Sequence, residues 1–374
     1  MCEDRRVTMD AQLGTHNLDP YDALVLVSFG GPEKPEDVVP FLRNVTRGRG
    51  IPDERLEQVG EHYYAFGGKS PINDQCRALL VALRAELDGR GLDIPLVWGN
   101  RNWDPYLPQT LTELDAAGHR RVLAITTSAY PSYSSCRQYR ENLYDAVQGT
   151  SLQVDKIRQY ATHPGFVQAS IDATNAALES LRADGVDVTK TRLVYVTHSI
   201  PSAMEEASQR QTRGYAAWHR DVAAEVTRQV SAHQGIEFAS DLAYCSRSGA
   251  PGQPWLEPDI NDHLEDLASE GVESVVLIPI GFISDHMEVI YDLDTEAAAT
   301  AEKLGLSFVR AATAGTHPAF VRSLVDLALE RAAAARGEDP DRPVIPGGEV
   351  GTDICTADCC LNLRDPARPA LCQG

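Results

Sequence analysis

The segment Gly281-Phe282-Ile283-Ser284-Asp285-His286-Met287-Glu288-Val289-Ile290-Tyr291-Asp292-Leu293-Asp294-Thr295-Glu296 gathers groups that can handle a cation. Glu288, Asp292 and Glu296 recur every four residues, with His286 just ahead of them. On a helix this spacing lines three carboxylates along one face. Like charges side by side repel, so the row costs stability unless a cation shares it. Carboxylate oxygens with an imidazole suit hard or borderline divalent metals. A solvated acidic helix face is the plainer alternative. Position argues against it, because the segment follows the apolar run Val275-Val276-Leu277-Ile278-Pro279-Ile280. That run reads as a buried strand, and ligands of open α/β sheets gather at strand carboxyl ends.

His198 closes a second apolar run, in Val196-Thr197-His198-Ser199-Ile200-Pro201. A His at a strand end is structural about as often as functional. A neutral imidazole is nevertheless the usual proton acceptor near neutral pH. Facing Glu288 across one pocket, it can bind a metal or share in proton transfer. Phe29-Gly30-Gly31-Pro32 holds the matching place in the first half of the chain. It lacks the spacing of a dinucleotide loop, and Pro32 removes an N–H donor. Its glycines let a flat ligand approach the backbone, with Phe29 packing on it. Arg47-Gly48-Arg49 and Tyr63-Tyr64-Ala65-Phe66-Gly67-Gly68-Lys69-Ser70-Pro71 join basic and aromatic residues. They suit a flat, anionic, apolar ligand. The bland reading is a surface loop with Ser70 capping a helix. Of eight cysteines, Cys355, Cys359, Cys360 and Cys372 crowd the C-terminus. Thiolates spaced so closely bind zinc or an iron–sulfur cluster, and free or redox-active thiols remain the alternative.

Three segment pairs recur in the same order, which predicts two similar domains. Leu24–Pro32 parallels Leu193–Pro201, Gly118–Ile125 parallels Gly271–Ile278, and Thr162–Val167 parallels Thr316–Val321. Apolar runs at 23–29, 96–98, 121–127, 192–197, 238–243 and 274–280 are short and do not alternate. Such strands are covered on both faces, as in parallel sheets with crossover helices. The expected fold is α/β, two doubly wound domains with a cleft between them. The expected boundaries are a disordered leader at 1–20, domains at 21–185 and 186–336, and a connector with a cysteine tail at 337–374.

The chain has 374 residues, 43% of them hydrophobic, and a formal net charge of -20. Nucleic acid is an improbable partner for so acidic a chain. No apolar run reaches the length of a membrane span. A cytoplasmic protein is expected, where a reducing environment disfavours disulfides.

Thr197-His198-Ser199-Ile200-Pro201 and Gly281 to Asp292 resemble the two signature motifs of ferrochelatases. Ser28–Pro32, Gly67–Pro71 and Pro254-Trp255-Leu256-Glu257-Pro258-Asp259 resemble further family segments. The resemblance covers about residues 21–335. It implies insertion of Fe²⁺ into a porphyrin held between two similar domains. His198 is then the catalytic His, and Glu288 its carboxylate partner across the macrocycle. Asp292 and Glu296, with His286, would pass the metal inward. Phe29, Arg47, Arg49, Tyr63, Ser70 and Tyr139 would surround the porphyrin. Some members carry Tyr where this chain has Phe29, and a phenyl ring cannot ligate iron. The tail resembles that of members holding a [2Fe–2S] cluster, here on Cys136, Cys355, Cys359 and Cys360, with Cys372 as the alternative fourth ligand. The polar stretch at 32–50 favours coproporphyrin III, whose product would pass to a coproheme decarboxylase. Protoporphyrin IX is the alternative substrate, and a class II cobalt or nickel chelatase a more distant one.

Overall fold

The computed structural model describes residues 17–248 and 252–372, so most of the expected leader lies outside the described residues. Leu18 is already buried, and the folded body includes it. The first central strand forms from an unbroken apolar run: β1 (Ala23–Ser28) is buried at every position. It lies between β2 (Leu96–Asn100) and β3 (Arg121–Thr126), with β4 (Gln153–Lys156) beyond β3. β5 (Thr191–His198), β6 (Ser240–Cys245), β7 (Ser274–Ile278) and β8 (Ser307–Arg310) repeat the pattern. The orders are β2-β1-β3-β4 and β6-β5-β7-β8, and every pairing is parallel. Parallel neighbours require crossover connections, which supply the covering helices. This is the predicted α/β fold with two doubly wound sheets.

The internal repeat acquires a physical meaning. Its first two pairs fall on β1 and β5 and on β3 and β7. Its third marks the starts of the helices Pro164–Ala183 and Pro318–Ala335. His163 and His317 cap those helices, each Nδ1 accepting a backbone N–H, from Gly165 at 3.0 Å and Ala319 at 3.3 Å. These helices also join the two halves. Pro164–Ala183 packs on the helix Tyr215–Gln234 and on β7 and β8, while Pro318–Ala335 packs on the helix Ile72–Gly89 and reaches β3. The faces of β1 and β5 bearing Leu24, Leu26, Leu193 and Tyr195 therefore share one core with Phe166 and Phe320. The opposite faces, bearing Val25 and Val194, have separate cores. Full burial of a large apolar side chain contributes roughly 1.5–3 kcal/mol, so this shared core ties the sheets firmly. Arg158 and Glu330 add a buried ion pair at 2.7 Å across the seam.

The carboxyl ends of the sheets consequently meet. The Tyr130 hydroxyl, beyond β3, donates to the Ile280 carbonyl, beyond β7, at 3.1 Å. The Asp285 N–H donates to Gln75 Oε1 at 2.8 Å. Pro71 takes the cap position before Ile72–Gly89. Ser70, one residue before the cap position, accepts a long hydrogen bond at Oγ from the Ile72 N–H, at 3.5 Å. Its N–H donates to the Pro32 carbonyl at 2.9 Å and so anchors the loop after β1. Among the described residues no helix is long and apolar enough to cross a membrane.

Candidate functional site

His198 is the last residue of β5, and backbone contacts fix it there. The Tyr215 hydroxyl donates to the His198 carbonyl at 3.0 Å and lies 2.6 Å from the Thr197 hydroxyl. His198 Nδ1 bonds the Ser199 carbonyl, which leaves Nε2 facing the cleft. There it lies 3.6 Å from Glu288 Oε1, the two side chains being 32% and 50% exposed. The other Glu288 oxygen lies 3.7 Å from His286 Nδ1.

Gly281 permits this meeting. A Cβ at Gly281 would lie 2.0 Å from Thr197 Oγ1, so only glycine lets the segment after β7 press against β5. The helix carrying the carboxylate row is not an α-helix over Val289–Ala297 but a wide π-helix. π-Helical segments are rare and are found frequently at functional sites. The row still runs along one side. Glu288 meets His198, Asp292 accepts from the Ser246 hydroxyl, and Glu296 is exposed at the outer end. The opposite wall is the helix Asp53–Tyr64. His62 stacks on Tyr291 with ring centres 3.7 Å apart and planes 8° from parallel.

These surroundings set the charges. Burial opposes the charge on Glu288, but the His198 and His286 imidazoles outweigh it and hold its carboxyl at about 2. Burial likewise opposes protonation of His198, yet Glu288, the Ser199 carbonyl and Asp292 together raise its value. The pair therefore holds a proton more tightly than the neutral imidazole of the sequence reading would. His286 moves the other way, lowered mainly by burial. Burial raises Asp292 to about 7, assisted by the Glu288 and Glu296 charges and opposed by Ser246. The Tyr63 phenol is pushed up by burial and by the charges of Glu288 and Asp292, which places it opposite the row.

Asp292→Asn tests this field. A carboxyl whose folded value exceeds its unfolded value lowers stability as pH rises between the two. The expected result is that Asp292→Asn matches the parent in thermal midpoint near pH 4, then gains over it until about pH 7, where the gain levels off. A constant difference across that range would mean that Asp292 titrates normally.

The remaining predicted residues divide. Phe29 packs edge-on to Phe41 at 6.2 Å, with the Arg101 guanidinium 5.4 Å over its ring. Tyr139 is buried beneath the same guanidinium at 4.3 Å. Ser70 is buried against Gly31. Arg47 is exposed and donates to Asn44 Oδ1 at 2.8 Å, and Arg49 is exposed as well. Ile51, Tyr64 and Phe66 are large exposed apolar residues just beyond the polar stretch. Sequence reading did not single out Tyr215, Ser246 or Arg101, because none belongs to a spaced motif. The reversed-φ backbone of Ser246, at 62°, is visible only in three dimensions.

A second site lies under the C-terminal tail. Cys136, Cys355, Cys359 and Cys360 are buried together although they span more than two hundred residues of chain. Cys355 Sγ accepts from the Cys136 and Cys359 thiols and is held down by them, with help from the Arg140 and Lys156 charges. Cys359 and Cys360 Sγ are 4.0 Å apart, and Gln159 Nε2 donates to Cys136 Sγ at 2.9 Å. Cys372 contributes backbone instead. Its carbonyl accepts from the Cys355 N–H and from Arg140, each at 3.0 Å. Among the described residues no three His, Cys, Asp or Glu side chains converge tightly enough to hold a single metal ion.

Two parallel doubly wound sheets meeting over a His–carboxylate pair define a chelatase-type α/β protein. Among solved structures, SirB from Bacillus subtilis with Fe³⁺ shares this fold at a TM-score of 0.51, covering 84% of this chain and 97% of that one at 11% identity. The ferrochelatase family model matches residues 21–332. Coproporphyrin III ferrochelatase of Streptomyces griseus subsp. griseus is 53% identical over 352 residues, covering 91% of this chain and 93% of the relative. Its counterpart in Streptomyces coelicolor is 52% identical over 362 residues, with 94% and 96% covered. Ferrochelatase of Rhodopirellula baltica is 43% identical over 364 residues, with 96% and 97% covered. The chain belongs to the ferrochelatase family and is a metal-inserting lyase.

Proposed function

We propose that this enzyme inserts Fe²⁺ into coproporphyrin III to give coproheme, with His198 and Glu288 at the reacting centre. The observation that carries the chemistry is the 3.6 Å His198–Glu288 pair at the inner end of a carboxylate row. Metallation forms four Fe–N bonds and releases two pyrrole N–H protons. His198 Nε2 accepts a proton once the pair has passed its own to solvent, and arriving positive charge favours that loss. Glu296, Asp292 and Glu288 replace the water of Fe²⁺ in turn, so no step exposes a bare ion. His286 lies at the inner end of this route. The wide helix places the row, and Asp292, at about 7, changes charge within the physiological range.

The choice of porphyrin rests on named relatives and on charge. Arg47, Arg49 and Arg101 have no carboxylate partner among the described residues, and a tetracarboxylate substrate would supply one. Exposed Ile51, Tyr64 and Phe66 favour protoporphyrin IX as the second reading. Purified protein incubated with Fe²⁺ and each porphyrin, followed by the metalloporphyrin spectrum, separates the two. Faster turnover of protoporphyrin IX would reverse the assignment. Coproheme retains its propionates, so a decarboxylating enzyme must follow. A cytoplasmic setting suits the free thiols.

The donor set under the tail fits a [2Fe–2S] cluster held by Cys136, Cys355, Cys359 and Cys360. Four thiolates would leave this pocket net negative, and two buried cations stand ready. Lys156 is 2% exposed, and Arg140 is fully buried with an unpartnered Nη1. When bound, the cluster would supply a covalent clamp between tail and body. Purified protein is expected to be reddish-brown, with about two irons and two acid-labile sulfides per chain. Ser at any of the four positions is expected to bleach it and leave the tail protease-sensitive, whereas Cys372→Ser keeps the colour. Colourless protein with stoichiometric zinc would defeat the cluster reading.

A further inference from the structure

Gln159 lies three residues beyond β4 and is 3% exposed. Its neighbours are committed to the body of the protein. Arg158 pairs with Glu330, and the Tyr160 hydroxyl donates to the Thr126 carbonyl at 2.7 Å. The Gln159 side chain serves the tail instead. Its Oε1 accepts from the Thr352 N–H at 3.1 Å, and its Nε2 donates to Cys136 Sγ at 2.9 Å. The partners dictate this orientation. An amide can be turned end for end, but a backbone N–H can only donate. Thr352 therefore takes the oxygen and leaves the amino group for the sulfur.

The tail is shaped for this contact. A Cβ at Gly351 would lie 2.4 Å from the Gln159 carbonyl oxygen and 2.9 Å from its Oε1, so only glycine lets the chain lie on Gln159. The next residue, Thr352, places its hydroxyl 3.4 Å from Cys355 Sγ. Against a thiolate that hydroxyl must be the donor. One polar group from the body and one from the tail thus meet two of the four buried cysteines. A leucine at 159 would fill a similar volume with no polar atom to satisfy. What the buried amide adds is its two hydrogen bonds.

We propose that Gln159 and Thr352 set the reduction potential of the cluster bound by Cys136, Cys355, Cys359 and Cys360, by donating hydrogen bonds to the sulfurs of Cys136 and Cys355. This rests on the [2Fe–2S] reading above. One-electron reduction adds negative charge that falls partly on the ligand sulfurs. Hydrogen bonds donated to those sulfurs favour the more negative form and so raise the potential. Both are positioning residues, acting through the cysteines rather than on iron. Thr352 also bonds Gln159, so lifting the tail breaks this arrangement as a unit. The potential therefore depends on the tail being seated.

A mediated dithionite titration of the purified full-length protein, followed by its visible spectrum, tests this in the parent, Gln159→Leu and Thr352→Val. Iron and acid-labile sulfide are measured in each preparation. Each variant is expected to keep the parent's iron and sulfide and to be harder to reduce by about ten-fold in the equilibrium constant, the scale of one net hydrogen bond. For a one-electron couple that is a fall of about 59 mV. Thr352→Val retains the backbone N–H on Gln159, so its tail stays anchored and its potential can be read even where Gln159→Leu loses the cluster. Parent-like potentials in the cluster-bearing variants overturn the tuning role alone. Loss of iron and sulfide from both variants also overturns it, because the two residues would then only seat the tail. A parent that is colourless or carries zinc overturns the cluster reading and this inference with it.

Discussion

His198→Ala is expected to lose at least a hundred-fold in kcat while still binding porphyrin, the usual scale for removing a positioned proton acceptor being roughly 10²–10⁴. The side chain is 32% exposed and meets Glu288 rather than a packed core, so its removal opens little cavity. Tyr215 and Thr197 hold the backbone whether or not the imidazole is present. The fold should therefore survive, as circular dichroism would show. Glu288 supplies an internal check. Its low value owes most to His198, so the carboxyl should rise toward its ordinary range in the variant. A depressed carboxyl adds stability above its unfolded value and loses it as pH falls through the folded one. The variant should accordingly lose a smaller share of its stability below about pH 4 than the parent does. Turnover above about a tenth of the parent, a loss of only ~1.4 kcal/mol in the barrier, would show that another group takes the pyrrole protons.

Glu288→Gln is expected to be nearly inactive at any iron concentration, whereas Asp292→Asn and Glu296→Gln should mainly raise the Fe²⁺ needed for half-maximal rate. The difference follows from place. Glu288 holds both imidazoles, at 3.6 and 3.7 Å, and its amide could neither carry their charge nor replace water on the metal. Asp292 and Glu296 lie farther out, one bonded to Ser246 and the other exposed. Saturating iron should rescue the outer variants to within about three-fold of the parent, since losing one exposed carboxylate costs little more than a surface ion pair. Initial rates against Fe²⁺ concentration decide it. Equal, unrescued losses in all three variants would replace the stepwise route with a single binding site.

Much of this molecule was legible in one dimension. The central strands β1, β3, β5 and β7 are continuous apolar runs because both faces are covered, and each was placed correctly. The edge strands β4 (Gln153–Lys156) and β8 (Ser307–Arg310) went unnoticed. They are four residues long and carry charged side chains, so no hydrophobic pattern betrays them. The spacing of Glu288, Asp292 and Glu296 predicted one helical face, and a row on one side is found. The sequence did not predict the π-helix, since apolar period alone cannot separate i→i+4 from i→i+5 bonding.

Residue types and their order were enough to determine two doubly wound halves, a His and a carboxylate at strand ends, and a tail of closely spaced thiols. Those features depend on local pattern, and local pattern is written in the chain. Tertiary structure alone decided which groups touch. The parallel pairing of β5 with β7 brings His198 to Glu288, while the exchange of Pro164–Ala183 and Pro318–Ala335 between halves sets the carboxyl ends of the two sheets together. Folding back of the tail carries Cys355 to Cys136. Contacts between residues so far apart in sequence arise from packing of whole elements, where burial of distant apolar faces outweighs any local preference. No spacing rule encodes them.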